Sequence, residues 1–275
     1  MAYGDLTKVA TNLQSLSSLN SLRQTNDELG IRQLRLSTGS RLNRAEDDSA
    51  GYIISSKLQA RVRGQAQALA YVGDAESLLT VGEGSLNTVM DILMTMKEKV
   101  VQAANDTLAS AERTAIKSQL DALSGEVTDI LGDTKFNNTS VFTSTAFSFQ
   151  VNADAGDTFA VTVGTLSVTA LGIATASLLV ASAAAASTTL SGLDTAISTI
   201  ASKLGSIGDS QSRLSFKQDM LAISMTNNEG ARSRIADADF AKEQMEIVKL
   251  QILQQTGMAS FAQANAAPQS VLQLF

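Results

Sequence analysis

The chain has 275 residues and a formal net charge of −6, and it contains no histidine and no cysteine. These absences remove the commonest general base, the thiolate nucleophile and the preferred ligands of zinc and copper. The acidic balance also disfavours nucleic acid as a partner. Aromatic residues make up only 4% and Pro268 is the single proline, a composition typical of long helices packed as coiled coils. We therefore expect a mainly α, non-enzymatic protein with no cofactor and no metal site.

The N-terminal segment is predicted to form a thin amphipathic helix. Leu6, Val9, Leu13 and Leu16 recur at spacings of three and four. Residues 1–19 lack the basic start and continuous apolar core of a secretory signal peptide. No run of the chain approaches the ~18 apolar residues that cross a membrane, so we expect no membrane partner. Because so narrow an apolar row cannot hold an isolated helix, we expect this segment to be disordered in the monomer and to order on assembly.

A long helix with a coiled-coil seam is predicted next. The acidic residues Glu46, Asp47 and Asp48 precede it, where negative charge complements the helix dipole, and this explanation is favoured over a metal site. Arg61, Gln65 and Gly82 interrupt the seam. Its apolar members are Ile54, Leu58, Ala68, Val72, Ala75, Leu79, Leu86, Val89, Leu93, Met96, Val100 and Ala103.

Two further seams of the same period follow, separated by a short β segment. The second seam is Ile116, Leu120, Leu123, Val127 and Ile130, and the third is Leu190, Leu193, Ile197, Ile200, Leu204, Ile207, Leu214, Leu221 and Met225. Three seams of one period predict a single long antiparallel coiled-coil bundle, formed by the N- and C-terminal halves of the chain.

The middle of the chain is predicted to contain a small β-hairpin. Apolar residues alternate at Phe147, Phe149 and Val151, and again at Phe159, Val161 and Val163. The turn-rich stretch between them includes Asp154, Gly156 and Asp157. These residues faintly resemble a calcium loop, but the match is poor and a simple hairpin turn is favoured.

The C-terminal segment repeats the pattern of the N-terminal one. Its apolar row, Ala241, Met245, Val248, Ile252, Ala259 and Ala262, again suits a helix that needs tertiary packing. We expect both terminal segments to be disordered in the monomer and to order on assembly, when they bury these rows against neighbouring copies.

Motifs at both ends resemble those of bacterial flagellins. The N-terminal motif is Leu-Ser-Thr-Gly-Ser-Arg-Leu-Asn at 36–43, followed by Ala-Glu-Asp-Asp-Ser-Ala-Gly at 45–51. The C-terminal motif is Ala-Arg-Ser-Arg-Ile-Ala-Asp-Ala-Asp-Phe-Ala at 231–241, continued by Gln-Ile-Leu-Gln-Gln-Thr-Gly at 251–257, Ala-Gln-Ala-Asn at 262–265 and Pro-Gln-Ser-Val-Leu at 268–272. The resemblance covers residues 1–165 and 188–275, so the chain looks like a short flagellin without large outer domains.

This resemblance implies a domain organisation. Residues 1–45 would form the N-terminal part of an inner core domain with its connector, and 236–275 the C-terminal part of the same domain. Residues 46–190 would supply the long helices and hairpin of an outer tube domain, and 191–235 its C-terminal helix.

The resemblance also implies a function and a set of partners. The function would be that of a secreted structural subunit that polymerises into the bacterial flagellar filament used for swimming. Partners would be further copies, other flagellins, the type III export apparatus, an export chaperone, and the filament cap and hook-junction proteins. The residues expected to make polymerisation contacts are Leu6, Val9, Leu13, Leu16, Met245, Val248, Ile252, Ala259 and Leu272. A hook-filament junction protein is the nearest alternative, and a coiled-coil scaffold protein or an enzyme is less favoured.

One stretch departs from the family pattern. Many flagellins carry Leu-Gln-Arg-Val-Arg-Glu-Leu at a site used for subunit stacking and for recognition by Toll-like receptor 5. Here the stretch runs from Leu93 to Lys99. Thr95 stands at the position of the first arginine and Lys97 at that of the second. Glu98 matches the glutamate, and Lys99 stands at the position of the last leucine. Because an arginine often dominates an interface, we expect weak or absent receptor activation and a stacking contact that uses compensating residues.

Overall fold

The computed structural model describes the backbone of residues 11–272 and the side chains of residues 11–266. In chain order the elements are α1 (Leu13–Thr38), α2 (Ser49–Ala103), α3 (Ser110–Asp133), β1 (Lys135–Phe136), β2 (Thr139–Ser140), β3 (Phe147–Gln150), β4 (Thr158–Val161), α4 (Ala183–Ala236) and α5 (Phe240–Leu272). The prediction of a mainly helical chain with a small hairpin in its middle is confirmed.

The chain divides into two compact units. The first contains the residues up to Ala60 together with those from Asn227 onward, and the second is Arg61–Thr226. The boundaries fall inside α2 and α4, so each of these long helices contributes to both units.

In the second unit, α2 and α4 run antiparallel. Gln65 Nε2 donates a hydrogen bond to Ser224 Oγ at 2.8 Å, and Lys97 Nζ pairs with Asp194 Oδ1 at 2.6 Å. Residue numbers thus rise along one helix as they fall along the other. Side chains from α2, α3, α4 and the β segment share one buried core, so the predicted seams meet as expected.

The first seam is buried over most of its predicted length but begins later than predicted. From Ala68 to Ala103 its apolar members are all buried, whereas Ile54 is 49% exposed and Leu58 is half-buried. The prediction that the seam starts at Ile54 is therefore wrong. Ile54 and Leu58 belong to the first unit, outside the core that buries the rest of the seam.

Each interruption of the first seam has a partner. A Cβ built at Gly82 would lie 3.2 Å from Val141 Cγ1 and 3.8 Å from Ile207 Cδ1, so those side chains fill the space that a seam residue would occupy. Buried Gln65 donates to a hydroxyl on α4, as a buried amide must. Exposed Arg61 pairs with Asp154 at the tip of the hairpin, at 2.9 Å.

The predicted hairpin forms, and a second one was missed. β3 and β4 pair antiparallel with Phe147 opposite Val161 and Phe149 opposite Phe159. The missed hairpin, β1 and β2, turns through two positive-φ residues, Asn137 (φ 48°) and the next asparagine (φ 62°). An Asn-Asn pair suits the two left-handed positions of a type I′ turn, which was the available signal.

The two acidic residues of the β3–β4 turn are engaged within the protein. Asp154 pairs with Arg61, and the Asp157 carboxylate accepts from Asn152 Nδ2 at 2.7 Å. Across the described residues no cluster of three acidic side chains is arranged to hold a metal ion. The turn is a hairpin connection, as favoured from the sequence.

A buried arginine holds the connection between α2 and α3. Arg113 is 7% exposed, and its guanidinium donates to the carbonyl oxygens of Ala103, Asn105 and Leu108. These carbonyls lie at and just beyond the end of α2, where the helix itself supplies no donors. One side chain therefore satisfies three acceptors that the sequence pattern gave no reason to pair.

Replacing this arginine is predicted to destabilise the second unit. Arg113→Met should lower the free energy of unfolding by about 2–4 kcal/mol, because three carbonyls lose a charged donor in a buried place. Arg113→Lys should recover only part of the loss, since an ammonium cannot reach three divergent acceptors. Exposed Arg63→Met serves as the matched control, and urea unfolding followed by circular dichroism measures all three. An Arg113→Met chain as stable as the control would contradict the role of this side chain.

Candidate functional site

The first unit is built on a helix pair with a narrow inner core. Helices α1 and α5 run antiparallel: Asn12 Nδ2 donates to the Ala264 carbonyl at 2.8 Å near one end, and Arg32 pairs with Glu243 at 3.1 Å near the other. Between them, the buried apolar cluster consists of Leu29, Ile247 and Leu250, with Leu36 packed against it.

The two family motifs meet in the connector of this unit. Gly39 ends α1 in the left-handed conformation at φ 69°, and the chain then forms a bridge between Ser40 and Asp237. Arg41 donates through its backbone N–H to the Ala236 carbonyl at 2.6 Å and through its guanidinium to the Ile235 carbonyl at 2.7 Å. The residues that carry the resemblance therefore form one hydrogen-bonded junction between the ends of α1 and α4.

The acidic run before α2 divides into three roles. Asp48 Oδ1 accepts from the Gly51 N–H at 2.9 Å and caps the helix, as its position predicted. Asp47 instead turns back and accepts from the backbone N–H groups of Asn43 and Arg44, both at 3.1 Å. Glu46 is exposed and pairs with the Arg44 side chain. Asp48 therefore caps α2 directly, whereas the hydrogen bonds of Asp47 organise the connector that precedes the helix.

A charge network links the connector to both terminal helices. Arg35 on α1 lies 3.8 Å from Asp47 and 3.9 Å from Glu243 on α5. Glu243 is 4% exposed, and both of its oxygens accept from Arg32. The backbone N–H of Arg44 holds the pKa of the Asp47 carboxyl below its ordinary value; desolvation opposes this, and the N–H of Asn43 and the charge of Arg35 reinforce it.

This network is predicted to make the connector sensitive to acid. Because the folded pKa of Asp47 lies below its unfolded value of about 3.9, the ionised carboxylate stabilises the fold at neutral pH, and this contribution is lost as the pH falls through the folded pKa. Asp47→Asn should therefore lower the melting temperature at pH 7, and the difference should shrink as the pH falls from about 5 to about 2. Glu46→Gln, in an exposed pair, is the control and should change little. A pH-independent difference for Asp47→Asn would contradict this account.

Six of the nine predicted polymerisation residues have described side chains, and all six are exposed on the helix pair. Exposure is 59% for Leu13 and 52% for Leu16, and 67%, 46% and 59% for Met245, Val248 and Ile252. Ala259 is also exposed. Leu6 and Val9 lie outside the described residues, as does the side chain of Leu272. The apolar row predicted on α5 is thus not the row that packs on α1.

The sequence analysis missed residues on both the inner, buried face and the outer, exposed face of the helix pair. The inner row on α5 contains Ile247 and Leu250, which lie between the predicted outer positions. Further exposed large apolar side chains on the helix pair are Ile31, Leu34, Phe240, Leu253 and Met258. Because α5 is apolar on two sides, a row of apolar residues spaced by three and four can be drawn along either face. The inner row could have been recognised from Ile247, Leu250 and Phe261, which share one face of the helix.

The stretch 93–99 on α2 does not form one surface. Leu93 is fully buried in the core of the second unit, whereas Thr95 is exposed and its hydroxyl donates to the Asp91 carbonyl at 3.0 Å. Lys97 is held in its pair with Asp194 on α4. Glu98 is exposed and Lys99 is half-buried.

These features define a class of protein: a helical structural subunit with a closed core in one unit and open apolar faces in the other. Within the described residues, no helix is both long enough and apolar enough to cross a membrane. The bacterial flagellin N-terminal helical region matches residues 9–146, and the flagellin C-terminal helical region matches residues 190–275. The chain therefore belongs to the bacterial flagellin family.

Known flagellins are similar to this chain along nearly its whole length. A flagellin of Halalkalibacterium halodurans is 34% identical, covering 87% of this chain and 89% of that protein. A flagellin of Bacillus subtilis is 32% identical, covering 97% and 99%. A crystal structure of Bacillus cereus flagellin is 26% identical, covers 57% of this chain and 86% of that one, and has a TM-score of 0.43.

Family membership confirms the main functional predictions. The protein is a non-enzymatic structural subunit of the extracellular flagellar filament and assembles with further copies of itself. This result favours the filament subunit over the hook-filament junction protein that was the nearest alternative from the sequence.

Proposed function

We propose that the outer faces of α1 and α5 are the surfaces by which one subunit joins its neighbours in the filament. The observation that carries this proposal is that the first unit exposes more large apolar side chains on these two helices than it buries between them. Leu29, Ile247 and Leu250 make its buried apolar cluster, while larger apolar rows face solvent on both helices. Exposed apolar patches of this kind mark interaction sites in soluble proteins. In this assignment, residues 1–45 and 236–275 form the inner core domain, and residues 46–190 and 191–235 form the surrounding tube.

The proposed contacts include Leu13, Leu16, Met245, Val248, Ile252 and Ala259, together with Leu6, Val9 and Leu272. Burial of these rows also supplies a reason for the terminal segments to order on assembly, which stays a prediction. Filament growth then follows from a head-to-tail contact that does not close into a ring.

A charge on the outer face of α5 is predicted to prevent assembly. Ile252→Glu should leave the helical content and melting temperature of the monomer close to those of the unaltered chain, because Ile252 is 59% exposed. It should abolish filaments, because a carboxylate buried without a partner in the interface is strongly unfavourable. Gln251→Glu adds the same charge at the adjacent exposed position and is the control. Sedimentation and negative-stain electron microscopy measure the outcome, and normal filaments from Ile252→Glu would contradict the proposed surface.

Truncation provides a second test of the same surface. A chain ending at Ala259 lacks the last part of α5 and should remain a folded monomer that does not polymerise. Filaments from that chain would remove the C-terminal helix from the assembly contacts.

We also propose that this flagellin activates Toll-like receptor 5 weakly or not at all. The support is local: Thr95 occupies the position of the first arginine, and Lys97 is engaged by Asp194 at 2.6 Å. A lysine supplies a point charge where an arginine supplies a planar fork of donors.

Receptor activation should be gained by restoring the family residues. The triple variant Thr95→Arg, Lys97→Arg, Lys99→Leu should stimulate receptor-expressing cells far more strongly than the unaltered monomer. Cells that lack the receptor control for contaminants. Equal, strong stimulation by the unaltered chain would contradict the proposal.

Family membership is also the support for a proposal about secretion partners. We propose export through the flagellar type III apparatus with the aid of an export chaperone, followed by addition beneath the filament cap and beyond the hook-junction proteins. Other flagellins are proposed as co-assembling subunits.

A further inference from the structure

Methionine is the main target that this chain offers to a peroxide. The chain has no cysteine and no tryptophan, but it has eight methionines. A peroxide transfers one oxygen atom to the thioether sulfur and leaves methionine sulfoxide, a polar side chain in place of an apolar one. The effect on the protein therefore depends on where each methionine lies.

Burial divides the methionines into three groups. Met96 is fully buried in the core of the second unit, and Met90 and Met225 are half-buried. Three more are 49% exposed, namely Met94, Met220 and Met258. Met245 on α5 is 67% exposed, the highest value among the methionines whose side chains the structure describes. A peroxide in solution therefore reaches the sulfur of Met245 most readily.

The fold of the first unit fixes the direction in which Met245 faces. Glu243, two residues before it, is 4% exposed, and both of its carboxylate oxygens accept from Arg32 on α1. Ile247, two residues after it, is 5% exposed in the cluster between the two helices. Because two residues along a helix turn by about 200°, Glu243 and Ile247 hold the opposite side of α5 against α1. Met245 is thereby directed away from α1.

Met245 belongs to an apolar row whose side chains contain no hydrogen-bond donor. Val248 and Ile252 lie three and seven residues further along α5 on the same face, and they are 46% and 59% exposed. The backbone N–H groups of this part of α5 are engaged within the helix itself. A polar group introduced at Met245 is therefore hydrated in a single copy, but it would lose its water without gaining a donor if the row were covered.

We propose that Met245 is an oxidation site that controls whether a free subunit can join the filament. The proposal rests on the proposed function of the outer faces of α1 and α5. In the reaction, the O–O bond of hydrogen peroxide breaks, an S–O bond forms, the sulfur loses two electrons, and the peroxide leaves as water. A methionine sulfoxide reductase returns two electrons and two protons, and the oxygen then leaves as a second water. The modification is therefore reversible.

The sulfoxide affects the contact between copies and not the fold of a single copy. Because Met245 is 67% exposed, the sulfoxide oxygen stays hydrated in the free subunit, and the melting temperature should change little. In the proposed contact the oxygen would be covered without a donor, which should raise the critical concentration for polymerisation about tenfold. The same contact should shield the sulfur of a subunit that has already joined a filament.

Partial oxidation of the unaltered chain tests this site with internal controls. Folded monomer is treated briefly with hydrogen peroxide, so that only a minority of copies carries each sulfoxide, and the peroxide is then removed. The mixture is polymerised on a small amount of short filament fragments and separated by sedimentation. Peptide mass spectrometry then gives the sulfoxide fraction at each methionine in the filaments and in the supernatant.

The readout is the distribution of each sulfoxide between filaments and supernatant. Sulfoxide at Met245 should be about tenfold rarer in the filaments. Sulfoxides at Met220 and Met258, which lie outside the proposed contact, should divide evenly. Treatment of the supernatant with the two stereospecific methionine sulfoxide reductases should return its chains to filaments. An even distribution of Met245 sulfoxide, or a depletion no greater than that at Met220, would overturn the proposal.

A leucine in place of Met245 provides a second test, because it keeps an apolar side chain of similar volume and removes the sulfur. Each chain is treated with peroxide under the same conditions and compared with its own untreated sample, so any effect of the substitution itself cancels. Treatment should raise the critical concentration about tenfold for the unaltered chain and for the control Met258→Leu, but not for Met245→Leu. A rise for Met245→Leu as large as that of the control would also overturn the proposal.

Finished filaments separate a failure of this site from a failure of the proposed assembly surface. Peroxide is applied to filaments, and the rate of oxidation at Met245 is compared with the rate in the monomer. Equal rates, together with filaments from Ile252→Glu, would contradict the assembly surface itself. Protection of Met245 in filaments and loss of filaments with Ile252→Glu, combined with an even distribution of Met245 sulfoxide, would contradict the oxidation site alone.

Discussion

The pairing of α1 with α5 buries too little apolar surface for the amount that these helices carry. Leu29, Ile247 and Leu250 form the cluster between them, with Leu36 packed against it, and hydrogen bonds and an ion pair join the two helices elsewhere. Helices gain most of their stability in proteins by burying an apolar face. The outward rows on α1 and α5 are therefore apolar surface that a single copy leaves exposed, and the proposed contact with another copy would bury it.

The two units solve the problem of helix stability in different ways. The second unit closes a core with side chains from three helices and a hairpin, and buried Arg113 satisfies the carbonyls at the end of α2. The first unit relies on a connector of backbone hydrogen bonds and on the charges of Arg35, Asp47 and Glu243. Charged networks depend on pH and solvent far more than a dry core does. In the proposed assembly, the unit that contacts neighbouring copies is thus the unit with the more adjustable interactions.

Periodicity predicted the closed unit better than the open one, for a physical reason. A seam buried on one side leaves a single 3-4 row, and the row from Ala68 to Ala103 was readable in full. Helix α5 is apolar on both sides, and the row drawn through Met245 and Ile252 proved to be the outer one. Gly82 reads as a break in the seam, yet Val141 fills the gap from a distant part of the chain. Such tertiary contacts leave no local pattern in the sequence. The hydrogen bonds from Arg113 to three carbonyls leave none either.

The free energies of burial and association explain why assembly should require many contacts at once. Full burial of a large apolar side chain contributes about 1.5–3 kcal/mol, and partial burial contributes less. Association of two copies costs an estimated 4–15 kcal/mol before any contact is made, and ordering the terminal helices adds to that cost. The outward residues of α5 alone would barely offset this. In the proposed assembly, a subunit that joins a growing end touches several neighbours, and there the outer faces of α1 and α5 act together. Growth at an existing end is then favourable under conditions in which two free copies remain apart.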